Sequence, residues 1–418
     1  MLRCFARMRP RCYACLVVLQ ALVATLGSTA EAQTTGTIGP LTLDAAVERA
    51  MSANATIAAA RLRGAISTAG VAVARDRLNP EVRVEFERET PTEAYSLAVP
   101  WEAGGKRSRR IAVANAALRT SEAELAQVIA ETRASVRRAY YARLIAEARS
   151  TLLTELQDLS RRARDAAQQR FDAGSVPRLE VLQAQLAVAD LENQVTAAAG
   201  AVAAARAQLN ALLGLPVDTA VPLSTSLDAP VPTTMDVALA RARVANSELI
   251  VAERRLDEQR ARLALARALQ KPDITPEATL THGNEPEFNY GWRAAVAVAV
   301  PLFTRHRAGV LIEDATLSQL TAERDAVLAR ITGDVTAAVA LADAQQRQFI
   351  RYRDEIIPQA LQVEQMAEDA YRLGQSPISA FLQALQATRD TRLRSLEAAS
   401  GFHAALADLE RAIGAPLP

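Results

Sequence analysis

Phe171-Asp172-Ala173-Gly174-Ser175-Val176-Pro177 closes one helical stretch and opens the next, and the same punctuation returns as Tyr371-Arg372-Leu373-Gly374-Gln375-Ser376-Pro377. A glycine at a helix carboxy terminus with proline shortly after it stops one helix and starts another. Outward from these breaks the two halves keep step. Leu182-Gln183-Ala184 matches Leu382-Gln383-Ala384, and Leu213-Gly214-Leu215-Pro216 matches Ile413-Gly414-Ala415-Pro416. Upstream, Leu43-Asp44-Ala45-Ala46 with Ala50 and Asn54 returns as Met235-Asp236-Val237-Ala238 with Ala242 and Asn246, Pro80 answers Pro272, and Val99-Pro100 answers Val300-Pro301. The chain is therefore one plan used twice, over 33–214 and 233–418. A Pro-rich linker, 215–232, joins the halves through Pro216, Pro222, Pro230 and Pro232.

Within the first half, helical spacing runs over 41–78 and stops at Asn79-Pro80, because proline disfavours helix in the residue before it. Residues 106–171 contain no proline, and a shorter helix is expected over 177–213. At 1.5 Å per residue the long helix reaches about 100 Å, and the two shorter ones would match it end to end. Helices of that length need partners along their whole length. In the shorter one Val181, Ala184, Val188, Leu191, Val195, Ala198, Val202, Ala205, Leu209 and Leu212 recur in alternating steps of three and four, a coiled-coil seam. Leu179, Leu182, Leu186 and Ala189 begin a second seam, which predicts neighbours on both sides at that end.

Composition narrows the class. Half of the 418 residues are hydrophobic but only 4% are aromatic, a helix former's usage, and a formal charge of +1 gives no reason to expect a nucleic-acid partner. All three cysteines, Cys4, Cys12 and Cys15, lie in a stretch that also carries Arg3, Arg7, Arg9 and Arg11 ahead of an apolar run and Ala30-Glu31-Ala32. That pattern is a secretory signal peptide over 1–32, whose removal leaves a slightly negative chain with no disulfide, zinc-thiolate site or cysteine nucleophile. Past the leader no stretch appears apolar enough for a membrane-spanning helix, so any insertion must use strands.

The blocks between the helices alternate with period two. Val82, Val84 and Phe86 alternate with Glu81, Arg83, Glu85 and Glu87, and Tyr95, Leu97, Val99 and Trp101 with Ala94, Ser96, Ala98 and Pro100. Ile274, Ala278 and Leu280 alternate with Asp273, Thr275, Glu277, Thr279 and Thr281, and Tyr290, Trp292, Val296, Val298 and Val300 with Gly291, Arg293, Ala295, Ala297 and Ala299. Phe86, Tyr95, Trp101, Phe288, Tyr290, Trp292 and Phe303 cluster in or beside these blocks, as aromatics do near a lipid interface. Two soluble hairpins packed on a plain coiled coil would explain the helices but not this enrichment. Four strands cannot close a membrane barrel, since the smallest have about eight and an open edge in lipid leaves backbone groups unsatisfied. Several chains must share one barrel.

With a leader, a twofold repeat and paired strands between very long helices, the sequence resembles the TolC family of outer-membrane efflux channels across the mature chain. The fold that resemblance implies is mainly α with a small β part: long coiled-coil hairpins forming an α-barrel tunnel, with four strands per chain in a shared 12-stranded transmembrane barrel of a homotrimer. It implies a channel in the bacterial outer membrane that crosses the periplasm and works with a periplasmic adaptor and an inner-membrane pump of the resistance-nodulation-division class. Trp101-Glu102-Ala103-Gly104-Gly105-Lys106-Arg107 and Pro301-Leu302-Phe303-Thr304-Arg305-His306-Arg307 are similar to stretches of the CzcC-type subgroup, associated with cobalt, zinc and cadmium export, except that His306 stands where that subgroup usually has Asn.

The resemblance places Ala173, Gly174, Ser175, Tyr371, Arg372, Leu373, Gly374 and Gln375 at helix tips that dock an adaptor and close the channel. Gly104, Gly105, Lys106, Arg107, Phe303 and Arg305 fall at strand–helix corners, where the glycines permit a tight turn. Acidic residues that ring the closed tip in TolC itself are replaced by Ala380 and Gln383, so carboxylate gating does not carry over. By strand alternation the barrel lumen receives Glu81, Arg83, Glu85, Glu87, Glu89, Asp273, Glu277 and Arg293, an acidic excess that favours cations in a narrow aqueous passage. His282, His306 and His403 are far apart and fit ordinary surface positions. No phosphate loop, nucleophile elbow, metal-ligand spacing or cofactor motif appears, so neither an enzyme nor a cofactor is expected. The rival class is a periplasmic coiled-coil structural or adaptor protein, which would carry one hairpin flanked by β-rich domains. Within the channel reading, export of drugs or other organic compounds is the alternative to metals.

Overall fold

The computed structural model describes residues 39–89, 91–228, 234–285 and 288–416, so the expected leader and the end of the linker lie outside the described residues. From Leu41 onward the first half consists of α1 (Leu43–Ala53), α2 (Ala55–Arg75), β1 (Glu81–Phe86), β2 (Glu93–Ala98), α3 (Lys106–Asp172) and α4 (Arg178–Leu212). The second half repeats it with α5 (Met235–Ala245), α6 (Ser247–Leu269), β3 (Asp273–Glu285), β4 (Phe288–Ala299), α7 (Arg307–Arg351), α8 (Ile357–Arg372) and α9 (Ile378–Ile413). The proline-free α3 runs unbroken, whereas its counterpart is interrupted by a π turn at Tyr352–Ile356, just ahead of Pro358. A proline inside a helix removes a backbone donor and crowds the preceding turn, so the ladder is broken there.

The expected helix over 41–78 is two helices, divided at Asn54 and ending at Arg75. Asn54 is buried and joins three helices. Its Oδ1 caps α2 by accepting from Thr56 N at 2.9 Å and Ile57 N at 3.3 Å, and its Nδ2 donates to Leu212 O at 3.0 Å, the end of α4. Asn246 repeats the arrangement, accepting from Leu249 N at 3.0 Å and donating to Ala412 O at 2.7 Å. Gly214 and Gly414 complete each joint with positive φ, and a Cβ on Gly414 would lie 2.4 Å from Ala245 O. In this way α2 and α4 follow one another along α3, as their lengths suggested.

Every residue of the predicted α4 seam is buried or half-buried, whereas Leu179, Leu182 and Leu186 are exposed in the single chain. The tip-side core gathers Leu152, Leu156, Val181, Ala184, Phe381 and Leu385 from α3, α4 and α9. By length and composition α2 is apolar enough to cross a membrane, which corrects the expectation that no helix is. In the structure it packs along α3, with Arg61 and Arg63 near its middle.

The described part of the linker is a strap over the helices rather than a free connection. Leu41 and Leu223 form a parallel bridge, and Tyr140 on α3 donates to Leu41 O at 2.7 Å. His403 is buried, against the surface reading of that residue. It stacks on Tyr141 at 3.5 Å and its Nε2 bonds Leu227 O at 2.8 Å.

Asn246→Ala removes a helix cap and strands a buried carbonyl, so it should destabilise the fold by about 2 kcal/mol, and Asn54→Ala similarly. A lowered thermal midpoint of the purified protein checks this. Burial, with the Arg137 cation adding to it, lowers the pKa of His403 to about 4 against the pull of the Leu227 carbonyl. The unfolded chain then binds the proton first, so this stability is complete above about pH 6.5 and fades towards pH 4, by about 3 kcal/mol in all. Denaturation of the native protein and His403→Phe across that window should differ in slope by this amount.

Candidate functional site: sheet, corners and tips

The four strands form one antiparallel sheet in the order β1-β2-β3-β4. Register settles which side chains share a face. Arg83, Ser96, Thr279 and Arg293 form one cross-strand row, and Val84, Tyr95, Leu280 and Trp292 form the adjacent row on the opposite face. The polar face also holds Glu81, Glu85, Asp273 and Glu277, whereas Glu87 lies just past β1, its N–H donating to Thr92 O in the hairpin turn. Ser96 and Thr279 are only 7% and 4% exposed and hydrogen-bond each other at 3.1 Å, while Trp292 on the apolar face is 82% exposed. A soluble sheet hides its apolar face; this one does the reverse, as a sheet in lipid must. Among the described residues both outer strands, β1 and β4, have an unpaired edge.

The corner motif is a set of welds between sheet and helices. Gly104 and Gly105 both have positive φ, and a Cβ on Gly104 would fall 2.4 Å from Lys271 Cδ. Lys106 is buried rather than solvated and pairs with Asp273 at 2.8 Å, tying the start of α3 to the start of β3. Arg107 Nε donates to Arg75 O at 3.2 Å, and Arg110 Nη2 donates to Asp76 O at 2.9 Å and to Glu102 Oε2 at 3.0 Å. Two guanidiniums thus cap the last carbonyls of α2. At the second corner His306 occupies the position equivalent to Gly105 with φ of 51°, and His and Asn are both among the side chains that tolerate the left-handed region. This accounts for the departure from Asn in the subgroup's motif. Arg305 Nε donates to Leu302 O at 3.0 Å, and Phe303 is fully exposed.

At the tips Gly174 and Gly374 both have φ of 74°, and Ser175 N and Gln375 N each close a turn at 2.8 Å onto Arg170 O and Ala370 O. Of the eight tip residues singled out by sequence, only Tyr371 is buried. It stacks on Phe381 at 6.1 Å, and burial, then the Glu180 carboxylate, raises the pKa of its phenol. Its cationic partner is Arg170, which lies 5.0 Å over the ring and donates to Tyr371 O at 3.2 Å. Arg372 is exposed and pairs with Asp369 of its own helix at 3.1 Å, so it does not link the two hairpins. Sequence offered no route to the Arg170–Tyr371 pairing, since the equivalent of Arg170 in the second half is Ala370.

Among the described residues no group of three metal-ligating side chains is assembled. Long paired helices attached to a sheet with its polarity inverted are the architecture of outer-membrane channels. Residues 46–215 match the family model for outer membrane efflux proteins. The chain is 27% identical over 383 residues to the cobalt-zinc-cadmium resistance protein CzcC of Cupriavidus metallidurans, covering 90% of each. In fold it is similar to the outer-membrane channel OprN, with a TM-score of 0.74, 20% identity and 90% of each chain covered. It is similar also to the open state of the MtrE outer membrane channel of Neisseria gonorrhoeae, with a TM-score of 0.75, 17% identity, and 90% and 89% covered. The family match lies in the first half of the chain, and the fold over nine-tenths of it is that of outer-membrane channels, which reach from the outer membrane into the periplasm.

Arg170→Ala should loosen the link between the two hairpin tips. Spin labels at Ala173 and Leu373 should then show a broader distance distribution by pulsed electron resonance, and Arg372→Ala should leave it unchanged.

Proposed function

We propose that three copies of this chain form a passive conduit for divalent heavy-metal cations, delivered by an inner-membrane pump of the resistance-nodulation-division class through a periplasmic adaptor. The observation that carries the metal assignment is the likeness to CzcC over nine-tenths of both chains. The acidic excess on the polar face of the sheet supports it: Glu81, Glu85, Asp273 and Glu277 against Arg83 and Arg293. On this reading that face lines the lumen of a twelve-stranded barrel, with Glu87 and Glu89 near its mouth. A conduit needs weak, repeated attraction rather than a tight site, because an ion must leave as readily as it enters. The exposed tip residues Ala173, Gly174, Ser175, Leu373, Gly374 and Gln375 meet the adaptor, and the Arg170–Tyr371 contact contributes to the resting, closed tip.

Purified channels in planar bilayers under a salt gradient should give a reversal potential of modest cation preference, and Glu81→Gln with Glu277→Gln should bring it towards zero. Anion preference of the native channel would remove the lumen assignment. Deleting the gene should lower tolerance to zinc, cobalt or cadmium. Unchanged metal tolerance with greater sensitivity to drugs would assign the channel to organic compounds instead.

A further inference from the structure

A cleft of about 460 Å³ opens beside the first corner, between the end of α2, the end of β2 and the start of β3. Its walls combine two chemistries. Val99, Trp101 and Pro276 continue the apolar face of the sheet, where Val99 N–H bonds Pro276 O at 3.0 Å and Trp101 N–H bonds Ile274 O at 2.8 Å. Arg77 and Arg107 line the same cleft from the helix side. The carboxylate there, Glu102, is held by the Arg110 guanidinium and is not free to neutralise them. Arg107 spends two of its nitrogens on Arg75 O, and among the described residues Arg77 makes no side-chain hydrogen bond or ion pair. Trp101, 71% exposed, forms the outer wall.

An apolar wall that faces lipid, a tryptophan and an unpaired guanidinium at the level where strands give way to helices are the elements that hold a phospholipid at a membrane boundary. Tryptophan sits at headgroup depth, and arginine engages phosphate oxygens in a two-pronged bond. We infer that this cleft binds the phosphate of a glycerophospholipid of the periplasmic leaflet, with an acyl chain running along Val99 and Pro276. The inference rests on the outer-membrane location of the sheet. A second copy of the chain is the competing occupant, since in the shared barrel β1 meets β4 of a neighbour; the segment after that strand, Val300 to Arg307, carries Arg305 and Arg307 and no carboxylate, so it adds charge attractive to a phosphate and leaves Arg77 without a counterion.

Trp101 makes the cleft observable, because Trp292→Phe leaves it the sole tryptophan of the chain. In the trimer purified in a non-ionic detergent, dioleoyl phosphatidylglycerol should produce a saturable change in Trp101 emission. Arg77→Gln should weaken that response about tenfold, as expected for loss of one charge-assisted phosphate contact. Arg77→Lys, which keeps the charge and loses the fork, should fall between the two and serves as the variant if Arg77→Gln does not assemble. Dioleoylglycerol, which lacks the phosphate, and inorganic phosphate, which lacks the chains, should both give no saturable response. A response equal for dioleoylglycerol reduces the cleft to an apolar groove, and one given by inorganic phosphate alone makes it a free-anion site. Equal affinity in Arg77→Gln, or Trp101 shielded from acrylamide before any lipid is added because a neighbouring copy fills the cleft, overturns the proposal. Size-exclusion chromatography of each variant separates these outcomes from failure to form the membrane channel at all.

Discussion

Everything above and below the middle of the chain depends on two asparagines that each make separate helices behave as one. A helix of 67 residues cannot be flanked by a single partner here, because the chain must leave for the sheet at one end and turn at the tip at the other. The flank is therefore assembled from two shorter helices, and their meeting point leaves backbone donors of one and carbonyls of the other facing a buried joint. A side-chain amide supplies both an acceptor and a donor, so Asn54 satisfies α2 with its oxygen and α4 with its nitrogen, and Asn246 does the same for α6 and α9. Aspartate could cap but not donate, and serine could not reach both. The glycines that follow α4 and α9 are small for the neighbouring reason, since the last carbonyls of α1 and α5, at Ala53 and Ala245, pass where a Cβ would be.

At the other end the constraint is solvent. The alternation in the strands alone leaves open which face is inside. Burial distinguishes the two faces, because the hydroxyls of Ser96 and Thr279 are covered and bonded to each other while the aromatic row stands exposed. Unpaired edges on β1 and β4 have the same origin, since a sheet in lipid must find its remaining backbone partners in neighbouring chains. The ion pair of Lys106 with Asp273 and the capping of α2 by Arg107 and Arg110 then fix sheet to helices, so strand tilt and helix packing are coupled at one corner.

The parts of the fold legible in sequence were those written as periodicity or punctuation: the seam of α4, the alternating strands, the glycine–proline breaks and the twofold repeat. Contacts between single side chains from distant segments left no such trace. Arg170 meets Tyr371 across two hundred residues, and the repeat misleads there because only one half has the cation. His403, isolated in sequence, is a core residue because the linker strap passes over it and supplies a carbonyl. The ending of α2 at Arg75, short of Asn79, follows from the arginines of α3 that take its last carbonyls, a tertiary event that local propensity does not record.

The same distinction bears on what the corner motif can say about cargo. Each residue of Trp101 to Arg107 that the structure engages does architectural work: Glu102 holds Arg110, Gly104 admits Lys271, Lys106 anchors β3 and Arg107 caps α2. In the register of the sheet Trp101 continues the apolar face, opposite Ile274, away from the polar row. A motif of this kind records how the junction between sheet and helices is built. Chemistry that could discriminate among ions belongs to the polar face, where Glu81, Glu85, Asp273 and Glu277 are spaced along strands instead of gathered around one point. Spacing of that sort attracts charge without fixing a coordination geometry, so on the proposed reading discrimination between one divalent metal and another would fall to the partner that loads the channel.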